Sequence, residues 1–550
     1  MRLENVRIFD TARRCFRSGS ITFSDRIESV EYTDADSNGA YVVPGFLDIH
    51  MHIESSMMTP SLFARATLPH GTTTIVSDCH EISNVAGVKG LEAFMEEKTD
   101  NDTYFAVPSS VPASSSLLET SGGAFDGPEI EKLSENRRII ALGEVMNAND
   151  LLSDGDNRTK RIIEAFRRTR PECPLEGHIP RLMGSELDRF ISSGVDSDHT
   201  EQKLAGFLER LSKGVFVQLQ YKGFDKEIID NLDPCYDGHF SFCTDDVLPD
   251  ILESEGHLDR VVRKAISLGL SPERAIYAVT WSPAVRMRLF DRGWLAPGKI
   301  ADIVVLDDVE KMDIRAVYKN GRLMYEKGRD YSYSCRDLTP EYLKNSIDRA
   351  PVTPEDFILR GNHPGKGKAI VIAHQSTTTM TKKVVMDVEY DEDCILKNRD
   401  LNILASVERY GRNAPIIPVP LAGGLDRRGA ICSSWAHDSH NLLVLATDAE
   451  LAARAVNLVI ERQGGVACVD DSGEVFVPLG YGGIVSSEDF LSLAAGIRKV
   501  RSFLREHGYE ALDEVMSFAV LALPVSPEVK VTDKGLVDVR EKKIIDWRLS

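Results

Sequence analysis

Several features are missing from the sequence, and each absence excludes a class of protein. The nine cysteines are scattered over 550 residues without a CxxC pair. Neither a disulfide framework nor a structural zinc knuckle is therefore predicted, and a reducing cytoplasm is the expected compartment. No apolar run approaches the ~18 residues that a membrane span needs. The N-terminal segment, MRLENVRIFD, is polar and lacks the apolar core of a signal peptide.

An excess of basic residues is also missing. The chain carries 65 Lys and Arg against 85 Asp and Glu, a net charge of -20, and no block of like charge dominates. This balance argues against a nucleic-acid-binding protein, which would present a basic face, and favours a soluble protein. At 550 residues the chain is too long for one ordinary core, so two or more domains are expected.

What the sequence does contain is a repeating alternation of apolar runs and helix-like segments between about residues 41 and 285. Helical spacers such as GVKGLEAFMEEKT and TKRIIEAFRRTR separate the runs. Eight strands in a stretch of ~250 residues predict an α/β fold with a (β/α)8 barrel. The eight runs are YVVPGFLDI, TTTIVSD, TYFAVPS, RIIALGEV, CPLEGHI, GVDSDH, VFVQLQY and FSFCTDD.

Polar residues of metal-ligand type stand where these runs end. His50 and His52 are two residues apart, so a strand would point both imidazoles to one face. Barrel chemistry is assembled at the carboxyl ends of strands, which would bring distant residues to one mouth. Imidazole and carboxylate together suit one or two ions of Mn, Fe(II) or Zn. The other strand-end residues are Asp78, His80, Glu144, His178, His199 and Asp245.

Each of these residues also has an ordinary structural explanation. The two histidines of HxH could be incidental, and Glu144 could belong to a salt bridge. His178 and His199 could be hydrogen-bonded histidines near helix N-termini. Asp245 could cap the helix that begins near Pro249. Because five strand ends share the same residue types, the combination favours a metal site.

The set HxH, Glu, His, His, Asp resembles the amidohydrolase superfamily, and within it the bacterial adenine deaminases. The similarity is close in VVPGFLDIHMHIESSMMTPSLFARATLPHGTTTIVSDCHEISNV (residues 42 to 85), and continues in ALGEVMN, GHIP, SGVDSDHT, FCTDD, GHLDRVVRKAISLG and LAPGKIADIVVLDDVEKMDIRAVYKNGRLM. RRGAICSSWAHDSHNLLVLAT (427 to 447) is similar to the C-terminal domain of that family. The resemblance therefore spans nearly the whole chain.

The resemblance implies a layout of three parts. Residues 1–43 and 286–335 would form a composite small β-sandwich, and residues 44–285 the metal-dependent barrel. Residues 350–550 would form the extra C-terminal α+β domain of the adenine deaminases. Within that domain, the segment His437, Asp438, His440 and Asn441 is either a structural loop or a contact to the active site.

The resemblance also implies roles for the strand-end residues. His50 and His52 would hold one divalent metal, His178 and His199 a second, and Glu144 would bridge the two. Asp245 would bind metal and carry a proton. His80 and Glu81 would assist proton transfer or bind additional metal. We expect hydrolytic deamination of adenine to hypoxanthine and ammonia, with Mn²⁺ or Fe²⁺, or else Zn²⁺, as the cofactor, and a homo-oligomer.

The sequence departs from the family pattern beside the metal ligands. Where the family usually has Arg-Glu-Gly-Ser, this chain has Gln220, Tyr221, Lys222 and Gly223, and where it usually has Arg-His-Pro, this chain has Val247, Leu248 and Pro249. Cys79 stands where a proline is usual. Lost polar groups alter substrate choice more than reaction type. Another purine or a pterin-like ring is therefore the alternative substrate.

Two other functions stay open at this point. A catalytically silent relative would be expected to have lost Asp245 or a histidine ligand, and this chain has lost none. A cyclic-amide hydrolase would more typically have a lysine where Glu144 stands. A metal-dependent aminohydrolase is the favoured hypothesis.

Overall fold

The computed structural model describes residues 1–334 and 337–549. These residues group into two units. Unit 1 comprises residues 1–79, 95–109 and 126–334, and unit 2 comprises residues 80–94, 110–125 and 337–549. Among the described helices, none combines the length and apolar composition needed to cross a membrane.

Unit 1 contains fifteen strands. They are β1 (Arg2–Asp10), β2 (Cys15–Phe23), β3 (Ile27–Tyr32), β4 (Tyr41–Pro44), β5 (Phe46–Met51), β6 (Thr72–Asp78), β7 (Asp102–Val107), β8 (Ile139–Val145), β9 (Leu175–Gly177), β10 (Ser197–Asp198), β11 (Phe216–Leu219), β12 (Phe240–Phe242), β13 (Ile303–Asp308), β14 (Asp313–Lys319) and β15 (Arg322–Glu326).

Its helices lie mainly between the strands of the predicted barrel. They are α1 (Pro60–Thr67), α2 (His80–Glu96, of which residues 80–94 belong to unit 2), α3 (Gly127–Ser134), α4 (Ala148–Leu152), α5 (Arg158–Thr169), α6 (Gly184–Ser192), α7 (Leu204–Ser212), α8 (Lys226–Asp230), α9 (Pro249–Glu255), α10 (Leu258–Ser267), α11 (Pro272–Val279) and α12 (Trp281–Arg286). Short 3-10 helices cover Ile53–Ser56, Leu68–His70 and Pro234–Tyr236.

The strands β5 to β12 are parallel and follow one another in chain order. Hydrogen-bonded ladders run through β5–β9 and through β10–β12. A parallel bridge between Met51 and Asp245 joins the beginning and the end of the series. Every residue of β6 and of β8 is buried, as expected for parallel strands covered by helices. The α/β fold with eight successive parallel strands, predicted from the eight runs, is confirmed.

The first apolar run does not form one strand, and that expectation is wrong. Residues Tyr41–Pro44 form β4, which pairs with β1 and β13, whereas Phe46–Met51 form β5, which pairs with β6. Gly45 separates them because the backbone passes close to the neighbouring strand. A Cβ at this position would lie 2.1 Å from the Thr73 hydroxyl.

The two segments that flank the barrel in sequence form a seven-stranded sheet in the order β15-β14-β13-β4-β1-β2-β3. One face carries a buried apolar cluster that includes Ile8, Ile21, Val42 and Ile303. The alternation of buried and exposed residues along β2 matches a sheet with one covered face.

Unit 2 combines two antiparallel-rich sheets with four helices of the C-terminal region and with residues 80–94 of α2. The strands are β16 (Gly365–Ala373), β17 (Lys382–Tyr390), β18 (Leu401–Val407), β19 (Val419–Ala422), β20 (Ala430–Ser433), β21 (Leu442–Ala446), β22 (Gly465–Val469), β23 (Glu474–Pro478), β24 (Val529–Thr532), β25 (Gly535–Asp538), β26 (Lys543–Ile545) and β27 (Arg548–Leu549). A nine-stranded sheet has the order β17-β16-β19-β18-β21-β20-β22-β23, with β27 paired to β16, and a second sheet contains β24-β25-β26.

Helix α14 (Ala449–Glu461) packs on β20, β21 and β22 of the large sheet through an apolar face. Its buried residues Leu451, Ala452, Ala455, Val456 and Val459 recur at helical spacing and form one stripe. The helices are α13 (Glu341–Lys344), α14 (Ala449–Glu461), α15 (Phe490–Glu506) and α16 (Glu514–Ala519), with 3-10 helices at Pro354–Phe357 and Val520–Ala522.

Candidate functional site

Six of the residues singled out in the sequence meet at the carboxyl ends of the parallel strands of unit 1. His50 lies in β5 and His52 directly follows it, while Glu144 lies near the end of β8. The His52 Nε2 atom is 3.5 Å from Glu144 Oε1 and 3.3 Å from Asp245 Oδ1. The His50 Nε2 atom is 3.6 Å from the same Asp245 oxygen. The side chains at the ends of three strands, β5, β8 and β12, thus lie close together.

The other two histidines meet the second oxygen of Glu144. His178 Nδ1 lies 2.8 Å from Glu144 Oε2, and His199 Nε2 lies 3.3 Å from it. The rings of His50 and His199 stack with centroids 3.7 Å apart. Glu144 therefore stands between His52 on one carboxylate oxygen and His178 and His199 on the other.

Neighbouring backbone and side-chain groups hold these ligands in orientation. The Nδ1 atom of His52 donates to the Asp78 carbonyl at 2.8 Å, which turns Nε2 towards the carboxylates. The Asp78 carboxylate accepts from the Glu144 backbone N–H at 2.8 Å. Only glycine fits at position 143, because a Cβ there would lie 2.3 Å from an Asp78 oxygen. Asp78, at the end of β6, is thus a positioning residue.

The backbone at the end of β5 holds Asp245 in place. Its N–H donates to the His50 carbonyl at 3.1 Å, and its own carbonyl accepts from His52 N–H at 3.4 Å. Its φ of 59° lies in the left-handed region, a conformation that non-glycine residues rarely adopt outside functional or turn positions. Helix α9 begins at Pro249 with Leu248 at the N-cap and no side-chain cap. The alternative in which Asp245 caps this helix is therefore wrong.

The electrostatics of the site favour positive charge between the carboxylates. Burial raises the pKa of Glu144 and Asp245, but hydrogen bonds and the charges of the surrounding histidines outweigh it and hold both well below their usual range. Burial lowers the pKa of His52, yet its bond to Asp245 and the charge of Glu144 leave it well above the usual value. The pKa of His178 is raised in the same way.

The donor set fits divalent metal ions. Two groups of three potential ligands, one with His50, His52 and Asp245 and one with His50, Glu144 and His199, have their donor atoms within 4.8 Å of one another, and all these residues are buried. The His50 Nε2 atom is buried and makes no hydrogen bond to any residue that the structure describes. A buried nitrogen without a hydrogen bond that faces carboxylates is explained by a metal partner.

A buried polar chain behind the site was missed in the sequence. The Asp48 carboxylate accepts from the Thr244 hydroxyl at 2.6 Å, and that hydroxyl lies 3.3 Å from His257 Nε2. Burial raises the pKa of Asp48 to about 7 and lowers that of His257 to about 3. The signal was available, since Asp48 is two residues before His50 and shares its strand face. This chain links the first barrel strand to the last.

The residues that depart from the family pattern have structural partners in unit 1. Gln220 is buried and its amide donates to the His199 carbonyl at 3.0 Å, so it holds the backbone that carries His199. Tyr221 lies on the surface with the Arg260 guanidinium 3.8 Å from its ring centroid. The charge of Lys222 helps to lower the pKa of Asp245, after the histidine hydrogen bonds.

His80 and Glu81, the remaining two predicted site residues, belong to unit 2. There Glu81 pairs with two histidines of the loop between β20 and β21. The His437 Nδ1 atom lies 2.5 Å from Glu81 Oε1, and His440 Nε2 contacts the other oxygen. These contacts link the segment from His437 to Asn441 to the start of α2, and no local sequence pattern indicates this pairing.

Comparison with known proteins identifies two matching family profiles and full-length relatives. The profile described as the amidohydrolase family matches residues 41–166 and 228–324, and the adenine deaminase C-terminal domain matches residues 378–543. A protein named adenine deaminase from Clostridium perfringens is 38% identical over 99% of this chain and 98% of its own length. One from Staphylothermus marinus is 34% identical over 99% of this chain and 92% of its length.

Among solved structures, an N-acetylglucosamine-6-phosphate deacetylase from Thermotoga maritima matches 60% of this chain and 100% of its own with a TM-score of 0.42 and 18% identity. The family assignment does not depend on that match. It rests on the near-complete coverage by relatives above 30% identity and on both family profiles. The chain belongs to the adenine deaminase family of the amidohydrolases.

Proposed function

We propose that this protein is a metal-dependent aminohydrolase that converts adenine and water to hypoxanthine and ammonia. The observation that carries the proposal is the convergence of four histidines, Glu144 and Asp245 at one end of the parallel strands of unit 1. The names of the full-length relatives support adenine as the substrate.

The donor set supports a site for two divalent ions. In this proposal His50 and His52 would hold one ion, His178 and His199 would hold the other, and Glu144 would serve both. The carboxylate and imidazole donors support Mn²⁺ or Fe²⁺, with Zn²⁺ as a further choice. When bound, such ions lower the pKa of water from about 15.7 towards about 7 and so supply hydroxide at neutral pH.

The residues of the chain then handle protons. Addition of hydroxide to C6 of adenine forms a C–O bond, and the C–N bond to the amino group must break. Asp245, whose carboxylate is held ionised, accepts the hydroxide proton and transfers it to the departing amino group, so that ammonia leaves as a neutral molecule. Hydrogen bonds to the Asp245 backbone from β5 support a fixed position for this transfer.

The test is an ammonia-release assay on protein loaded with Mn²⁺ or Fe²⁺. Adenine should be turned over, and other aminated purines and pterins are tested beside it because Gln220 and Tyr221 replace the family's usual charged pair. Ammonia release from a pterin or another purine, but not from adenine, would favour the alternative substrate. No ammonia release from any of these rings would contradict the aminohydrolase proposal.

Three finer points accompany the proposal. The scattered cysteines support a reducing cytoplasm. The acidic net charge supports a small-molecule substrate with no nucleic-acid partner. The size of the C-terminal region is the reason to expect a homo-oligomer, and light scattering coupled to gel filtration measures its mass. Roles of His80 and Glu81 in proton transfer remain a prediction.

A further inference from the structure

We propose that unit 2 contains a binding site for one small monovalent anion, of the size of chloride, on the buried guanidinium of Arg409. The hydroxyl of Ser346 is the second donor of this site. The class of ligand follows from the donors, because guanidinium and hydroxyl groups both offer hydrogens to an anion. Neither residue takes part in the deamination proposed above, and the site does not depend on that function.

The Arg409 side chain is fully buried and has no carboxylate partner. Arg409 follows β18 and is 0% exposed. Its Nη2 atom donates to the Gly482 carbonyl at 2.9 Å. The Nε and Nη1 atoms are buried, and neither makes a hydrogen bond or an ion pair with any residue that the structure describes. Because arginine stays protonated in proteins, these two nitrogens keep their hydrogens and share a full positive charge.

The surroundings of Arg409 do not balance this charge. Apart from the Gly482 carbonyl, the guanidinium has the Tyr410 ring beside it, with the ring centroid 5.3 Å from Cζ. A carbonyl and an aromatic ring attract a cation, but neither carries a net negative charge. Buried charges in proteins are paired, because an isolated one loses its hydration without compensation. An anion is the partner that this guanidinium requires.

A second buried donor faces the same place. The Oγ atom of Ser346 is buried and makes no hydrogen bond within the described ranges of the chain. A Cβ added at Gly483 would overlap Arg409 Nη1 and would lie 3.2 Å from Ser346 Oγ. Both donors therefore lie beside the same point of the backbone, close enough for one ion to reach them together. Buried polar atoms of this kind normally have partners, so two of them side by side indicate a ligand.

The backbone next to these donors is held in a fixed shape. Gly482 and Gly483 have φ values of 63° and 73°, in the left-handed region that glycine adopts without strain. The Gly482 N–H donates to the Leu343 carbonyl at 2.8 Å, and the Ser434 hydroxyl donates to the Gly483 carbonyl. The turn that Arg409 packs against is thus preformed, which lowers the cost of binding an ion there.

The competing explanation is a counter-ion from a neighbouring acidic side chain. Glu408 does not serve, because its two oxygens accept from the backbone N–H groups of Tyr410 and Arg412. Asp348 is close in space, since its N–H donates to the Arg409 carbonyl at 2.9 Å, but Asp348 is exposed and forms no ion pair with the guanidinium. Full burial of Arg409 also favours a small monovalent anion over a phosphate ester.

Bromide locates the site directly, because its anomalous scattering distinguishes it from water. Wild-type protein is crystallised with sodium bromide, and data are collected at the bromine absorption edge. We expect an anomalous peak within hydrogen-bonding distance of Arg409 Nη1 and Ser346 Oγ. A water molecule at this place, or no anomalous peak there, would overturn the site.

Thermal unfolding shows whether the anion also binds in solution. Melting temperatures are compared in sodium chloride and in sodium gluconate of equal ionic strength. Wild type should gain about 2 °C or more in chloride, with saturation, because the ion binds only the folded state. Arg409→Met should lose this gain. Arg501→Met is the control, since Arg501 is a buried arginine that donates to the Glu514 carboxylate at 2.7 Å, and it should keep the gain. Equal melting temperatures of wild type in the two salts would overturn the proposal.

A milder variant covers the case in which Arg409→Met fails to fold. Ser346→Ala removes one donor and should raise the dissociation constant for chloride, obtained from the chloride dependence of the melting temperature, by roughly fivefold. Ser517→Ala is the matched control, because Ser517 also has a buried hydroxyl without a hydrogen bond to the described residues. Its dissociation constant should equal that of wild type. An unchanged value in Ser346→Ala would overturn the placement of the anion between Arg409 and Ser346.

Discussion

Two clusters of histidines and carboxylates, one in each unit, differ in how they are assembled. The cluster of unit 1 collects residues from strand ends between His50 and Asp245, and each strand contributes one or two side chains. The cluster of unit 2 joins two sequence neighbours, His80 and Glu81, to a buried loop. The cluster of unit 1 thus follows from the repeating order of the strands, whereas the cluster of unit 2 depends on one long-range contact.

The protonation of the two clusters differs as well. In unit 1 the pKa values of His52 and His178 are raised above their usual values. In unit 2 burial lowers the pKa of His440, despite the opposing effect of Glu81. Without metal, His52 and His178 therefore hold protons more tightly than a free imidazole does, whereas His440 holds a proton less tightly. This contrast indicates that the two clusters respond differently to pH.

The largest expected effect is on the unit 1 centre itself. Replacing His50→Ala together with His52→Ala should remove metal from unit 1 and reduce deamination by roughly 10⁴-fold or more, because hydroxide is no longer supplied at neutral pH. Elemental analysis and the ammonia assay measure both effects. His70→Gln is the control, since His70 pairs with a single carboxylate, that of Asp259. Unchanged metal and turnover in the double variant would show that the ligands are wrongly assigned.

The next largest effect distinguishes the role of Asp245 from that of its neighbour Asp246. Asp245→Asn keeps the size and one oxygen but removes the basic carboxylate, so kcat should fall by roughly 10²-fold or more while metal content falls modestly. Asp246→Asn is the matched control. Asp246 accepts a hydrogen bond from the Ser55 hydroxyl at 2.5 Å and does not cap α9, so its loss should cost about 1 kcal/mol of stability. Equal kcat for wild type and Asp245→Asn would mean that another group carries the proton.

A smaller effect concerns substrate choice beside the unit 1 ligands. We expect wild type to turn over adenine with a kcat/KM below ~10⁵ M⁻¹s⁻¹. Restoring Gln220→Arg with Tyr221→Glu should raise it by about tenfold, since polar groups aimed at a purine return. Val247→Arg with Leu248→His should act in the same direction but cost more stability, because Leu248 is buried. Tyr221→Phe, which keeps the ring beside Arg260, is the control. A wild-type value at or above ~10⁵ M⁻¹s⁻¹ contradicts this expectation.

The smallest expected effect concerns the number of protons that the unit 1 histidines release when Mn²⁺ binds. With raised pKa values, His52 and His178 hold protons more tightly than free imidazoles do in the metal-free protein, and Mn²⁺ must displace the protons that they carry. Their stabilising effect is fully present below the unfolded pKa of about 6.5 and is lost as pH rises through the raised folded-state values.

Calorimetric titration in buffers of different ionisation enthalpy measures the protons released. Wild type should release more protons per chain on binding Mn²⁺ at pH 6 than at pH 8, because the raised pKa values leave more of these histidines protonated at the lower pH. His52→Ala, which removes one of the two histidines, should release fewer protons than wild type at pH 6. Equal release at the two pH values would contradict the raised pKa values of the unit 1 histidines.

The sequence by itself determined the parallel strands and the polar residues at their ends. Eight apolar runs in order predicted the strands β5 to β12, and alternation predicted that His50 and His52 share a face. Functional residues of a barrel lie at the carboxyl ends of its strands. Local patterns therefore indicated Glu144, His178, His199 and Asp245. The same patterns misassigned the run Tyr41–Ile49, because only a close approach to Thr73 shows that Gly45 divides it.

Only the tertiary structure decided which distant residues meet outside that repeating pattern. The contact of Glu81 with His437 and His440 joins residues more than 350 positions apart, and no periodicity relates them. The chain from Asp48 through Thr244 to His257 likewise depends on the first and last barrel strands lying side by side. Local propensity acts over a few neighbouring residues, whereas these contacts are set by how sheets and loops pack.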